Sequence, residues 1–138
     1  GLQVIAVEPG VGSQPSELRP DPLEITGVHA FSNQTPERIP ANLDHRVYDE
    51  VIAVETWQAY TAARQLALSE GVLVGDSSGA VLWAAQQVAA RPENRGKRIV
   101  VLLADGGSSY LTTQLFAHQV PAESLKLASA VQTSRKIA

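Results

Sequence analysis

The chain has 138 residues, of which 44% are apolar, and a formal net charge of −3 at pH 7. This length suits one domain with a buried core, and an acidic balance without any basic run argues against a nucleic-acid or anionic-membrane surface. With no cysteine there is no disulfide, thiol nucleophile or thiolate metal site, and the three histidines have no metal-ligand spacing. Because neither a membrane-spanning run nor a signal peptide is recognisable, we expect a cytoplasmic protein.

Strand and helix patterns alternate along the chain. The predicted strands lie near 3–8, 50–55, 71–75 and 98–104, and the predicted helices near 57–69, 79–90 and 109–117. Thr56 is expected to cap the first helix, Gly71 to end it, and Arg91-Pro92 to stop the second. The expected fold is therefore α/β, a mainly parallel sheet of about four strands between helices in three layers, with ligands beyond the carboxyl ends of the strands.

Two segments fall outside this alternation. Residues 9–47 hold six of the eight prolines and show little periodicity. A loop of this length is uncommon in a compact domain unless it serves a site or an interface. The single α/β domain is expected over 1–120, and the tail over 121–138 should contain a short helix at 122–127 and a loose end.

The stretch Gly75-Asp76-Ser77-Ser78-Gly79 stands between the third predicted strand and its helix. Such a turn offers hydroxyls and free backbone N–H groups where the helix dipole is positive, which suits small polar or anionic ligands. An equally simple interpretation makes Ser77 or Ser78 the N-cap of the helix.

The same stretch matches G-x-S-x-G, the nucleophile elbow of α/β hydrolases, with Asp105 and His118 following in triad order. Under that interpretation His29 or His45 could also serve as a base. Only one strand separates Ser77 from Asp105, no strand delivers His118, and no Gly-rich oxyanion loop precedes the serine. The serine-hydrolase hypothesis is therefore the weaker one.

A set of separated motifs over about residues 3–117 resembles the C-terminal part of the cysteine synthase family. These pyridoxal-phosphate enzymes have the tryptophan-synthase-β type of fold and include O-acetylserine sulfhydrylase and cystathionine β-synthase. The resemblance rests on the order and spacing of Val4-Ile-Ala-Val-Glu-Pro9, Ile39-Pro-Ala-Asn-Leu-Asp44, Asp49-Glu-Val-Ile-Ala-Val54, Glu70-Gly-Val-Leu-Val-Gly75, Ser77-Ser-Gly-Ala80, Arg91-Pro-Glu-Asn94, Gly96-Lys97, Ile99-Val-Val101, Tyr110-Leu111 and Leu115-Phe116.

The resemblance implies a cofactor contact in the central stretch. In the family the first serine of the motif hydrogen-bonds the pyridine nitrogen of pyridoxal 5'-phosphate, which implies that role for Ser77, with Gly75 and Ser78 completing the cofactor-binding motif. A neutral hydroxyl leaves the ring nitrogen largely unprotonated and favours β-elimination followed by addition of a nucleophile such as sulfide or a thiol. Asp76 departs from the family pattern, and we expect it to point away from the ring or to help cap the helix.

The resemblance also implies what is missing. The family's Schiff-base lysine, its substrate-carboxylate loop and its Gly-rich phosphate cradle lie upstream of the matched region, and Lys97, Lys126 and Lys136 do not match that lysine motif. The sequence therefore predicts a fragment or half of a β-replacement enzyme that is inactive alone, without a catalytic residue of its own. Its expected partners are a second copy or the missing N-terminal half, and its expected substrate in the complete enzyme is a small amino acid.

Other features leave alternatives open. The family's Gly-rich segment after Gly27 is replaced by residues 28–33, and the acidic-basic pair before the family tyrosine becomes Ser108-Ser109, so substrate preference is not defined. A non-catalytic interaction module that keeps the half-fold for assembly is the main alternative function. Trp57 and Trp83 fall on helices and are expected to pack rather than to stack on a ligand.

Overall fold

A parallel pair of strands forms the centre of the computed structural model, which describes residues 1–116. Strand β1 (Ile5–Pro9) pairs with β2 (Glu50–Val54), with Ile5 opposite Glu50 and Pro9 opposite Val54. Both strands are rich in valine, isoleucine and alanine and place Val7, Ile52 and Val54 against the core. The α/β class and the parallel pairing predicted from the sequence are confirmed.

Helix α1 (Thr56–Glu70) follows β2 directly. Its N-terminus is closed by a capping box. The Glu55 side chain accepts a hydrogen bond from the backbone N–H of Gln58, and the Gln58 side chain accepts one from the backbone N–H of Glu55. The prediction that Thr56 caps this helix is wrong, because the Thr56 hydroxyl donates instead to the carbonyl of Leu23. Gly71 ends the helix as predicted, in the left-handed conformation with φ of 70°.

Helix α2 (Asp76–Ala89) begins three residues before its predicted start. Gly75 is its N-cap, so Ser77 and Ser78 lie inside the first turn and the N-cap interpretation of these serines is wrong. The helix packs closely on α1, where a Cβ added to Gly79 would lie 2.2 Å from the backbone carbonyl oxygen of Ala59. Ala59, Ala80 and Ala84 are buried at this crossing beside Ile25 and Val54.

The third and fourth predicted strands do not form ladders among the described residues. Residues 71–75 meet the chain near 106 at one antiparallel bridge, Val74 to Gly106, and residues 98–104 have no strand partner within 1–116. Their apolar side chains are largely exposed, with Val100 at 87% and Leu102 at 84%. The sheet of 1–116 therefore has two strands instead of four, because the backbone partners that these runs require are not within the described part of the chain.

The predicted helix over 109–117 is also not observed within 1–116. A 3₁₀ turn, Gly107–Tyr110, is followed by further turns, and residue 117 lies outside the described residues, as does the predicted helix at 122–127. Thr113 donates its hydroxyl to the Tyr110 carbonyl and accepts from the Leu115 N–H, which competes with helical hydrogen bonds. Arg64 of α1 donates to the carbonyls of Gln114 and Leu115 and holds this segment against the core.

Between residues 1 and 116, neither α1 nor α2 has the length and the apolar content that crossing a bilayer would take.

Candidate active site at the carboxyl ends of the strands

Two carboxylates at the carboxyl ends of β1 and β2, Glu8 buried and Glu55 half-buried, hold the long excursion over 9–47 in place. The Glu8 side chain, 9% exposed, accepts hydrogen bonds from the backbone N–H groups of Phe31 and Ser32, both at 2.9 Å. Glu55 accepts from the Gly12 N–H at 3.1 Å and from the Ser13 hydroxyl at 2.7 Å. The proline-rich segment is thus folded over this edge of the sheet by its contacts with two carboxylates.

Asp76 forms a third attachment of the excursion, at the start of α2. Its carboxylate is 2% exposed and accepts from the Thr26 N–H at 2.9 Å and from the Ser77 N–H at 2.8 Å. The second bond satisfies one of the backbone donors left free in the first turn of a helix. Asp76 therefore binds a backbone donor in the first turn of α2 with one oxygen and the excursion with the other.

The Glu8 carboxylate is expected to make the stability of the fold depend on pH. Burial raises its pKa, but hydrogen bonds from the Phe31 and Ser32 backbone and from the Ser32 side chain outweigh that effect and leave the pKa below the ordinary 4.5. A lowered pKa stabilises the fold fully above 4.5, and this contribution is lost as the pH falls through the lower folded-state value. We expect Glu8→Gln to reduce the acid-induced loss of unfolding free energy, measured by urea titration between pH 5 and pH 3.

The matched control for this prediction is Glu17→Gln, because Glu17 is an exposed residue of the same excursion. This control should leave the pH dependence of stability as it is in the wild type. Equal pH slopes for wild type and Glu8→Gln would show that the Glu8 contacts do not bind the excursion to β1.

The two serines of the central stretch have different surroundings. Ser77 is partly exposed, and its hydroxyl forms no hydrogen bond with the residues that the structure describes. Ser78 is 0% exposed, and its Oγ is a buried polar atom without a partner in 1–116. Ser77 is therefore the serine whose hydroxyl is accessible to a ligand, in the first turn of α2 where the helix dipole is positive.

The second Gly/Ser loop meets the first through Gly75. A Cβ on Gly75 would lie 2.3 Å from Asp105 Oδ1 and 2.7 Å from the Tyr110 ring, so the absence of a side chain allows this approach. The Tyr110 hydroxyl donates to Asp105 Oδ2 at 2.7 Å. This hydrogen bond first, then burial and the charge of Asp76, raise the pKa of Tyr110 and keep it a neutral donor.

The structure describes part of the hydrolase triad suggested by the sequence and the surroundings of the two tryptophans and of His45. Asp105 is bonded to Tyr110, and His118, the other member of the hydrolase triad, lies outside the described residues. Trp57 and Trp83 pack edge to face with ring centroids 5.8 Å apart, as expected. His45 pairs with the Tyr48 hydroxyl in the excursion at 2.7 Å.

Sequence reasoning missed Glu8, Glu55 and Tyr60. The available signal for the two glutamates was that each lies at the end of a β-strand run, next to a long irregular segment. Tyr60 lies on α1, and burial first and the charge of Asp76 second raise its pKa. Among residues 1–116 no group of three or more acidic or histidine side chains is placed to hold a metal ion.

The family model described as pyridoxal-phosphate dependent enzyme matches residues 1–105, and the chain belongs to this family. The chain is 37% identical to the cysteine synthase of Buchnera aphidicola over 113 residues, which are 82% of this chain and 36% of that protein. It is 43% identical to a probable cysteine synthase of Bacillus subtilis over 91 residues, 66% of this chain and 29% of that protein. The resemblance to cysteine synthases found in the sequence is confirmed.

Solved structures give the same result. The crystal structure of a cysteine synthase from Entamoeba histolytica superposes with a TM-score of 0.64 at 32% identity, covering 85% of this chain and 33% of that one. O-ureido-L-serine synthase superposes with a TM-score of 0.68 at 30% identity, covering 92% of this chain and 38% of that one. The chain therefore spans about a third of the length of the relatives it matches.

Pyridoxal 5'-phosphate is the cofactor of the complete enzymes of this family. The described residues fit the end of the cofactor that carries the pyridine nitrogen. The accessible, uncharged Ser77 hydroxyl in the first turn of α2 suits a pyridine nitrogen, which accepts a hydrogen bond. The neighbouring carboxylates of Asp76 and Asp105 already accept hydrogen bonds from donors of the protein itself, whereas the Ser77 hydroxyl has no partner among residues 1–116.

Proposed function

We propose that this chain forms one part of a pyridoxal-phosphate-dependent β-replacement enzyme similar to cysteine synthase, acting in cysteine or related amino-acid biosynthesis. The single observation that carries the proposal is the partly exposed Ser77 hydroxyl, free of partners in 1–116 and held in the first turn of α2. The family match over 1–105 and the relatives named cysteine synthase support it.

In the proposed enzyme Ser77 donates its hydroxyl hydrogen to the pyridine nitrogen of the cofactor. When bound, pyridoxal 5'-phosphate supplies an electron-accepting ring system that assists bond cleavage at the amino-acid substrate. A neutral donor, together with the positive end of the α2 dipole, disfavours protonation of the ring nitrogen. Ser77 thereby favours loss of a β-substituent, which is the chemistry of a β-replacement reaction.

Three neighbours position Ser77. Asp76 fixes the first turn of α2 by accepting the Ser77 N–H, while its other oxygen is bound to Thr26 and is not directed to the ring. Gly75 lets Asp105 and Tyr110 pack against the turn. Gly75 and Ser78 are both buried, and Ser78 is 0% exposed. In the proposed site these two residues therefore position Ser77 and do not themselves contact the ring.

The remaining parts of the proposed site come from another polypeptide segment. Lys97 donates to the Asn94 side chain at 3.0 Å, in the turn after α2 and away from Ser77, so it does not serve as the cofactor lysine. Lys126 and Lys136 lie outside the described residues. We propose that the lysine and the phosphate-binding loop belong to the part of the fold that the relatives have beyond this third, in a cytoplasmic complex or assembly.

Replacing Ser77 tests this function. We expect Ser77→Ala, in the chain reconstituted with the segment of the Bacillus subtilis relative that precedes the matched region, to shift the cofactor absorption band. It should also lower kcat for sulfide addition about 10- to 100-fold, because the pyridine nitrogen loses its donor.

The matched control is Ser78→Ala, which removes a buried hydroxyl without a partner in 1–116. This variant should leave the absorption band in place. A shift with Ser78→Ala and none with Ser77→Ala would contradict the proposal and place the pyridine contact on Ser78. A complex that binds no cofactor would favour the non-catalytic interaction module.

A further inference from the structure

Two carboxylates lie at the first turn of α2, where Ser77 presents its hydroxyl. Asp76 comes directly before Ser77 in the helix. Asp105 comes from the second Gly/Ser loop, and its Oδ1 would lie 2.3 Å from a Cβ added to Gly75, the N-cap residue. An opposite charge within about 4–6 Å favours the charged form of a titratable group. A free carboxylate here would therefore favour a proton on a pyridine nitrogen bound at Ser77.

The Asp76 carboxylate is not free. It is 2% exposed, and its two oxygens accept from the Thr26 N–H at 2.9 Å and from the Ser77 N–H at 2.8 Å. Both donors belong to the main chain, and one of them is in the first turn of the helix, where negative charge is stabilised. The backbone itself thus holds the Asp76 charge.

The Asp105 carboxylate depends on a side chain instead. Asp105 is an exposed residue, and among the hydrogen bonds of residues 1–116 its carboxylate accepts one, from the Tyr110 hydroxyl to Oδ2 at 2.7 Å. The Tyr110 ring lies against the same turn, with Cε2 2.7 Å from a Cβ added to Gly75. The phenol therefore stands where it can occupy Asp105 beside the first turn of α2.

The position of Tyr110 does not depend on its hydroxyl. Before it, the Gly107 N–H donates to the Leu73 carbonyl at 2.9 Å. After it, Arg64 of α1 donates to the carbonyl of Leu115, a residue that is 0% exposed. The segment is thus anchored to the core on both sides of Tyr110. The hydroxyl is left to serve as a donor to Asp105.

The surroundings keep this phenol protonated. The hydrogen bond to Asp105 first, then burial and the charge of Asp76, raise the pKa of Tyr110. Tyr60 of α1 is a second phenol near Asp76, and burial first and that charge second raise its pKa too. Arg64 lies over the Tyr60 ring, 5.6 Å from its centroid. Among the described hydrogen bonds, neither Tyr60 nor Arg64 donates to Asp105.

We propose that Tyr110 determines the reaction specificity of the site, by holding the Asp105 carboxylate in a hydrogen bond that withdraws it from the pyridine nitrogen at Ser77. This inference rests on the proposed function, in which the neutral serine contact favours loss of a β-substituent. A protonated ring nitrogen is a stronger electron acceptor and favours reactions at the α-carbon, such as exchange of the α-hydrogen with water. Tyr110 is a positioning residue, because it acts through Asp105 and does not touch the substrate.

The hydrogen bond itself is tested in the chain without cofactor. The Tyr110 titration is followed by the ultraviolet absorbance of the phenolate, isolated by subtracting the signal of Tyr110→Phe. We expect Asp105→Asn to lower the pKa of Tyr110, because the amide keeps an acceptor oxygen but loses the charge. Equal pKa values of Tyr110 in the wild type and in Asp105→Asn would overturn the proposal.

Nitrogen NMR tests the consequence, with pyridoxal 5'-phosphate labelled at the ring nitrogen and bound to the reconstituted complex. Tyr110→Phe frees Asp105, so the nitrogen signal should move toward its protonated position, with a protonated fraction about 10-fold higher, equivalent to one pKa unit. The double variant Tyr110→Phe/Asp105→Asn should return the signal to the wild-type position. Tyr48→Phe, which removes a phenol hydroxyl of the excursion, should leave the signal unchanged.

The outcomes separate this inference from the proposed function. A signal that moves in Tyr110→Phe and returns in the double variant supports the role of Tyr110, and the ratio of α-hydrogen exchange to sulfide addition should rise with it about 10-fold. Bound cofactor with an unmoved signal, or a move that Asp105→Asn does not reverse, overturns that role and leaves the proposed enzyme standing. A complex that binds no cofactor contradicts the proposed function and this inference with it.

Discussion

Replacing Gly79 by valine is expected to lower the free energy of unfolding by about 3 kcal/mol, the upper range for overpacking a close contact. A Cβ at this position would lie 2.2 Å from the Ala59 carbonyl oxygen and 3.0 Å from the Ala63 Cβ. The obstacle is backbone of α1, which cannot rotate away as a flexible side chain could. The two helices would have to separate, and urea denaturation at pH 7 measures the cost.

Gly106→Ala is the control for this substitution. A Cβ at Gly106 has no heavy atom within 4 Å, and the residue has φ of −81°, which any residue adopts. We expect its stability to be unchanged or raised by up to about 1 kcal/mol through the unfolded state. Equal stabilities of Gly79→Val and wild type would contradict the close crossing of α1 and α2.

Asp76→Ala is expected to lower the free energy of unfolding by about 3 kcal/mol and to release the excursion. The variant removes the acceptor of the Thr26 and Ser77 N–H groups, and hydrogen bonds to a charged group contribute about 1.5 to 3 kcal/mol each. Part of the loss is recovered where the freed N–H groups reach water. Urea denaturation measures the stability, and limited proteolysis within 9–47 measures the release.

Asp76→Asn is the matched control, since the amide keeps one acceptor oxygen in nearly the same shape. It should retain about half of the stabilisation and remain resistant to cleavage in the excursion. The excursion would be held by other contacts if Asp76→Ala were as resistant to protease as the wild type. In that case Glu8 and Glu55 alone would fix its position.

Local sequence patterns predicted the elements whose contacts lie within 1–116. The β1 and β2 runs, the two helices and the end of α1 at Gly71 follow from β-branched residues, apolar periodicity and a glycine at a helix end. Helix starts were less predictable. Both helices begin earlier than predicted, since Glu55 and Gly75 act as N-caps in place of the expected hydroxyl residues.

Elements that depend on distant partners could not be predicted from local pattern. The run 98–104 has the composition of an interior strand, yet it forms a ladder only if a neighbour is present on its edge. The roles of Glu8 and Asp76 depend on backbone donors 23 and 50 residues away in sequence. The site assignment of Ser77 rested on the family resemblance, and the structure adds that this hydroxyl is more accessible than that of Ser78.

The central claim is that this chain supplies the pyridine contact and another segment supplies the cofactor lysine. Borohydride reduction of the reconstituted complex in the presence of pyridoxal 5'-phosphate, followed by peptide mapping, tests it most directly. We expect stoichiometric pyridoxyl-lysine in the segment from the Bacillus subtilis relative and none at Lys97, Lys126 or Lys136. A single fully labelled lysine in this chain, with or without its partner, would contradict the account.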